Sequence, residues 1–153
     1  MYTKWLLLEN FILQNHSKIG MNKEIMYPSV EKIIEYNILA LASLKVKKAD
    51  KAEVLSRKKI MDIIETCQQH QGEVYHKAVL LLKGIVRMHP FASGNRRTAF
   101  IVAKDFVLSN SERFKIRDDP IHAKVMQGIR ENYYSNEEIK EWIKNGKIRE
   151  FKR

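Results

Sequence analysis

Apolar residues recur at helical spacing along nearly the whole chain, broken by short polar interruptions. Tyr2, Trp5, Leu6, Leu8, Phe11 and Ile12 predict a first helix over about residues 2–15, and Met21–Pro28 reads as a loop. Ser29 is placed to cap a helix running to about Leu44, with Val30, Ile33, Ile34, Asn37, Ile38 and Leu41 along one stripe. Asp50 and Glu53 have capping-box spacing, which predicts a helix over about 51–69 through Val54, Leu55, Met61 and Ile64. Val74–Met88 is apolar on most of its surface. Arg97–Leu108 is apolar nearly all round, as suits a helix in the middle of a bundle. Asp119 and Pro120 supply an N-cap and a first helical position for a helix over about 120–132. Ser135 with Glu138 opens a last helix bearing Ile139, Trp142 and Ile143, and Gly146 is placed to end it. The fold expected is all-α, a compact bundle of six or seven helices in a single domain over 1–153. Val46 and its neighbours form a short extended piece in this reading.

Composition narrows the picture. The 153 residues are 44% hydrophobic and 30% charged, as in globular rather than disordered chains. No apolar run approaches the roughly 20 residues that span a bilayer, so no membrane association is expected. The apolar start, Met1 to Leu8, is short and interrupted by Glu9 and Asn10, and no small-residue cleavage site follows; it reads as a helix rather than a signal peptide. The single cysteine, Cys67, excludes an intrachain disulfide, points to a cytoplasmic setting and reads as a small buried residue. A net charge of +10, with 28 basic against 18 acidic residues, suits either an anionic partner or a solvated lysine-rich surface. His16, His70, His76 and His122 lack ligand-like spacing, so no metal cluster is expected.

Candidate chemistry gathers at His89-Pro90-Phe91-Ala92-Ser93-Gly94-Asn95-Arg96-Arg97-Thr98, between the two most apolar segments. Pro90 disfavours right-handed helix at His89 and should end the preceding helix there. Gly94 permits a tight turn. Asn95, Arg96 and Arg97 then fall in the first turn of the next helix, where free N–H groups and the positive end of the dipole favour anions. Arginines at that place add bidentate contacts to phosphate oxygens. His89 could face the same anion as a general base, which together implies transfer of a phosphorus-containing group to a hydroxyl. The bland alternative is a structural joint between two helices.

The stretch His89–Ala99 resembles the signature of the Fic/Doc (Fido) family, His-Pro-Phe-x-Asp/Glu-Gly-Asn-Gly/Lys-Arg followed by Thr-Ala. Ala78–Met88 is similar to the helix that precedes the motif, and Glu137–Ile143 to the short last helix of Doc-type proteins. The resemblance covers roughly 30–150. It implies the compact Fido bundle, with the active loop between two central helices. By residue, it implies that His89 is the general base, that Phe91 is a buried anchor of the loop, that Gly94 and Asn95 bind phosphate through backbone and amide, and that Arg97 holds the distal phosphates of ATP or another nucleoside triphosphate. Fic members transfer AMP to protein hydroxyls. Doc members are kinase-like toxins that silence a translation factor and are paired with an antitoxin.

Two positions refine this. Position 96 is glycine in Fic proteins and lysine in Doc proteins, so the cationic Arg96 favours the Doc branch and phosphoryl transfer over AMP transfer. Ser93 departs from the pattern, which places Asp or Glu there to hold Mg²⁺, a hard ion usually bound by at least one carboxylate. Three readings stand: the metal is held by phosphates and water, the extra cation Arg96 replaces part of its charge, or the protein is a catalytically impaired module that binds a nucleotide or a protein. Lys45–Lys48 lies where family members carry a target-docking flap; a plain basic loop is the alternative. The family's self-inhibitory Ser/Thr-x-x-x-Glu-Gly/Asn pattern has no match, since Trp5 stands four residues before Glu9, which implies restraint by a separate antitoxin chain. Nucleic acid is the least favoured partner.

Overall fold

The helical periodicity becomes six α-helices in a computed structural model that describes residues 24–42, 51–117 and 121–153. They are α1 (Val30–Ala42), α2 (Arg57–Gln69), α3 (Val74–Met88), α4 (Asn95–Ser109), α5 (Ile121–Arg130) and α6 (Asn136–Asn145). The expected helix over 2–15, the Lys45–Lys48 segment, Val46 and the Asp119-Pro120 cap lie outside the described residues.

The most apolar helices occupy the centre. α4 buries Ala99, Phe100, Ile101, Val102, Ala103, Phe106 and Val107, so most of its circumference is out of water. Each fully buried Ile, Val or Phe of this kind contributes about 1.5–3 kcal/mol. α3 is its main partner and also packs against α2, α5 and α6, whereas α1 lies on α4 and α2. The close fit of α3 to α2 depends on Gly84, where an added Cβ would stand 2.9 Å from Cγ1 and Cγ2 of Ile63. Gly84→Ala is therefore expected to destabilise the chain by about 1–3 kcal/mol through overpacking, read as a lower denaturation midpoint at unchanged m-value.

Helix ends follow local chemistry where it is available. The Ser29 hydroxyl accepts from Lys32 N at 3.1 Å at the start of α1. At α6 the Ser135 hydroxyl accepts from Glu138 N, the Glu138 carboxylate accepts from Ser135 N, and Gly146 closes the helix in the left-handed region, as the spacing predicts.

Three expectations are corrected. α2 does not open at the Asp50/Glu53 pattern: it begins at Arg57, and Ser56 caps it by accepting from Lys59 N at 3.2 Å. Residues 53–56 are instead drawn into pairing with residues 90–92, an option no local reading of the segment contains. Leu55 and Met61 consequently sit 58% and 56% exposed, and the buried face of α2 passes through Ile60, Ile63, Ile64 and Cys67. On α1, Ile38 is 50% exposed because the buried face runs through Ile33, Tyr36, Asn37, Ala40 and Leu41.

Lys77 is buried in the first turn of the apolar helix α3. Its ammonium donates to the carbonyls of Cys67 (2.9 Å) and His70, satisfying the C-terminal end of α2. Burial pushes the Cys67 thiol up to about 11, with Lys77 opposing the shift, so the thiol stays neutral and structural, as read from the sequence.

Candidate active site

α3 ends at Met88, and His89 follows in the left-handed region with φ 54° and ψ 57°. The helix ends where Pro90 predicts, although His89 turns left-handed rather than extended. A non-glycine residue held there carries roughly 1–2 kcal/mol of strain and persists only when its surroundings over-determine it. The surroundings are on hand. His89 N donates to Ile85 O (3.3 Å), Pro90 O accepts from Leu55 N (2.8 Å) and Ser56 N (3.2 Å), and Ala92 N donates to Glu53 O (2.9 Å). Val54 and Phe91 form an antiparallel bridge between these bonds. Lys59 Nζ donates to Met88 O at 2.9 Å.

Phe91 is 0% exposed, at the centre of the loop. Asn95 closes the loop with its side chain. Its Oδ1 accepts from Phe91 N (3.0 Å) and its Nδ2 donates to Phe91 O (2.8 Å), so both ends of the amide close the loop and the residue is 4% exposed. The amide is a clasp on the loop, and the Asn95 backbone N–H lies in the first turn of α4.

Asn37 holds the other side of the loop. Buried on α1, it donates from Nδ2 to Ser93 O (2.9 Å) and to Thr98 Oγ1 (3.1 Å). In the sequence it appeared only as a polar member of an apolar stripe, which was the signal of its special position. Asn37→Leu leaves a backbone carbonyl and a buried hydroxyl without this donor. It is expected to cost about 1–3 kcal/mol and to speed amide hydrogen exchange at Phe91 and Ala92.

Gly94, at φ 77° and ψ 14°, is the N-cap of α4 and offers no side chain to it. The first-turn N–H groups of Asn95, Arg96 and Arg97 thus meet no cap from that residue. A Cβ at Gly94 would approach Leu41 Cδ2 at 3.1 Å and Asn37 Nδ2 at 3.2 Å, so backbone sign and space both call for glycine.

These parts meet at a cleft of about 320 Å³ whose lining includes His89, Ser93, Gly94, Arg96, Arg97 and Arg130. Arg96 is exposed and Arg97 half-buried. Arg130, the last residue of α5, was not anticipated; its only signal was a basic residue in a last helical turn. No carboxylate lines this cleft, and no group of three or more His, Cys, Asp or Glu residues is placed to hold a metal ion among the described residues. Among the described residues the lining therefore does not fit Mg²⁺: three guanidiniums repel the ion and no carboxylate recruits it.

An all-α bundle that holds a loop histidine against an arginine-lined helix start, clasped by a buried Asn, defines the class of protein. The Fic/DOC family model matches residues 22–107, more than half of the chain, and the protein belongs to that family. No curated protein and no solved structure shows significant similarity to it. Among the described residues no helix is long and apolar enough to cross a membrane.

Proposed function

We propose that this chain transfers a phosphoryl group, or AMP, from a nucleoside triphosphate to a hydroxyl of a target protein. The observation that carries the reading is one cleft shared by His89, the first turn of α4 and three arginines. The imidazole of His89 takes the proton of the attacking hydroxyl. The hydroxyl oxygen then bonds to the γ-phosphorus and a nucleoside diphosphate leaves, or to the α-phosphorus and pyrophosphate leaves. The arginines and helix-start N–H groups stabilise the charge on the phosphate oxygens. The cationic Arg96 supports the Doc-like branch and γ-phosphoryl transfer. That branch brings with it a cytoplasmic toxin role, a target such as a translation factor, and a separate antitoxin chain.

The test is transfer of label to a cell-lysate protein from ATP labelled at the α or the γ position. Label that appears with the wild-type chain and disappears with His89→Ala supports the reading, and the position transferred identifies the branch. Absence of transfer with both labels, with and without Mg²⁺, overturns it. A second reading has its own observation, serine at position 93 in a cleft that no carboxylate lines among the described residues: the chain is a catalytically impaired nucleotide- or protein-binding module. Nucleotide binding with no transfer is its signature.

A further inference from the structure

We propose that this cleft binds nucleoside polyphosphate without a divalent cation, and that Arg130 completes the set of cations that replaces it. The inference rests on the nucleotide reading above and adds to it a residue and a mode of binding. Its basis is the juxtaposition of Arg96 and Arg97, from the first turn of α4, with Arg130, from the last turn of α5, across a lining that holds no carboxylate among the described residues.

The charge balance decides how a polyphosphate is received. A site that uses Mg²⁺ supplies acidic oxygens to hold the ion, and the ion then screens the phosphates. Here the side chains are already cationic, and a metal ion would enter a cleft lined by three guanidiniums. The planar fork of an arginine pairs with two phosphate oxygens at once, so cations from two directions can bracket a polyphosphate chain.

Arg130 is built to stand there. Its cation lies at a helix C-terminus, where the dipole favours positive charge. The end of α5 is fixed by packing and hydrogen bonds. A Cβ at Gly128 would meet Tyr134 Cε2 at 2.5 Å, so the two are in tight contact. Glu131 N, Asn132 N and Tyr133 N donate to Gln127 O, Ile129 O and Gly128 O. Arg87 Nη1 donates to Asn132 Oδ1 at 2.8 Å, tying the following turn to α3. The adjacent Glu131 accepts from Arg153 Nη2 at 2.7 Å, its nearest cationic partner, while Arg130 acts on the same carboxylate only through its charge. Among the described residues no hydrogen bond or salt bridge occupies the Arg130 side chain itself.

The test is calorimetric titration of ATP into the full chain, in excess EDTA and in millimolar Mg²⁺, with circular dichroism of each variant as the check on folding. The expected result is binding in EDTA at least as tight as in Mg²⁺. Arg130→Gln is expected to weaken the EDTA affinity about tenfold, the loss of one charge-assisted contact, while Arg130→Lys keeps part of it. Ser93→Asp is expected to shift the preference towards Mg²⁺ by restoring an oxygen anion. Binding that appears only in Mg²⁺, or an Arg130→Gln affinity equal to that of the wild type, overturns this inference and leaves the nucleotide reading in place. No binding of ATP in either condition overturns both.

Discussion

His89→Asn is expected to lower labelled transfer by about 10²–10⁴-fold, the range for loss of a general base, while ATP binding stays close to that of the wild type. Asparagine is the sharper choice than alanine because of the backbone. His89 sits at φ 54°, and asparagine tolerates the left-handed region better than most residues, so the loop keeps its path while the base is lost. His89→Ala removes the base and adds strain to the turn. The two variants should therefore share the loss of transfer and differ in unfolding midpoint. The separation of binding from transfer follows from the proposed division of the cleft, with the anion assigned to the arginines and the α4 first turn and the hydroxyl to His89. Transfer at the wild-type rate in both variants would remove His89 from the chemistry.

Phe91→Ala is expected to cost about 3–5 kcal/mol of stability, the range for truncating a fully buried aromatic side chain. Against a total of about 5–15 kcal/mol for a domain, that is a large fraction. The side chain also anchors the loop. Phe91 N and O are both bonded to the Asn95 amide, and Phe91 bridges to Val54, so an emptied pocket loosens both attachments. A variant that stays folded at low temperature should therefore lose transfer as well as stability. Phe91→Leu keeps most of the volume and should retain a larger share of both. Denaturant unfolding measures the first effect. A loss of only about 0.5 kcal/mol, the scale of a surface substitution, would contradict the anchoring role.

The elements that the sequence pattern places correctly rest on neighbours in sequence. Ser29 and Ser135 cap the helices that follow them, because each hydroxyl reaches an N–H three residues on. α4 was identified as central because hardly any of its faces is polar, and it is buried nearly all round. The opening of α2 was misplaced because Asp50 and Glu53 mimic a capping box, while the backbone of residues 53–56 is bonded to the loop at 90–92. Asn95 was assigned to phosphate on its place in the motif, yet its amide has nearer partners in Phe91.

By itself, then, the sequence determined an all-α chain, the extent of its central helices, and one contiguous loop and helix start carrying His89, Gly94, Arg96 and Arg97. Each of these is a local property: periodicity, a proline after a histidine, a glycine at a turn, cations at a helix start. Only the tertiary structure decided that Asn37 on α1 grips the loop through Ser93 O, that residues 53–56 brace its entry, and that Arg130 on α5 turns a two-arginine helix start into a three-arginine cleft. Those partners come from separate helices. The burial of α3 and α4 brings them together, and nothing in the local spacing of charges or apolar residues encodes that packing.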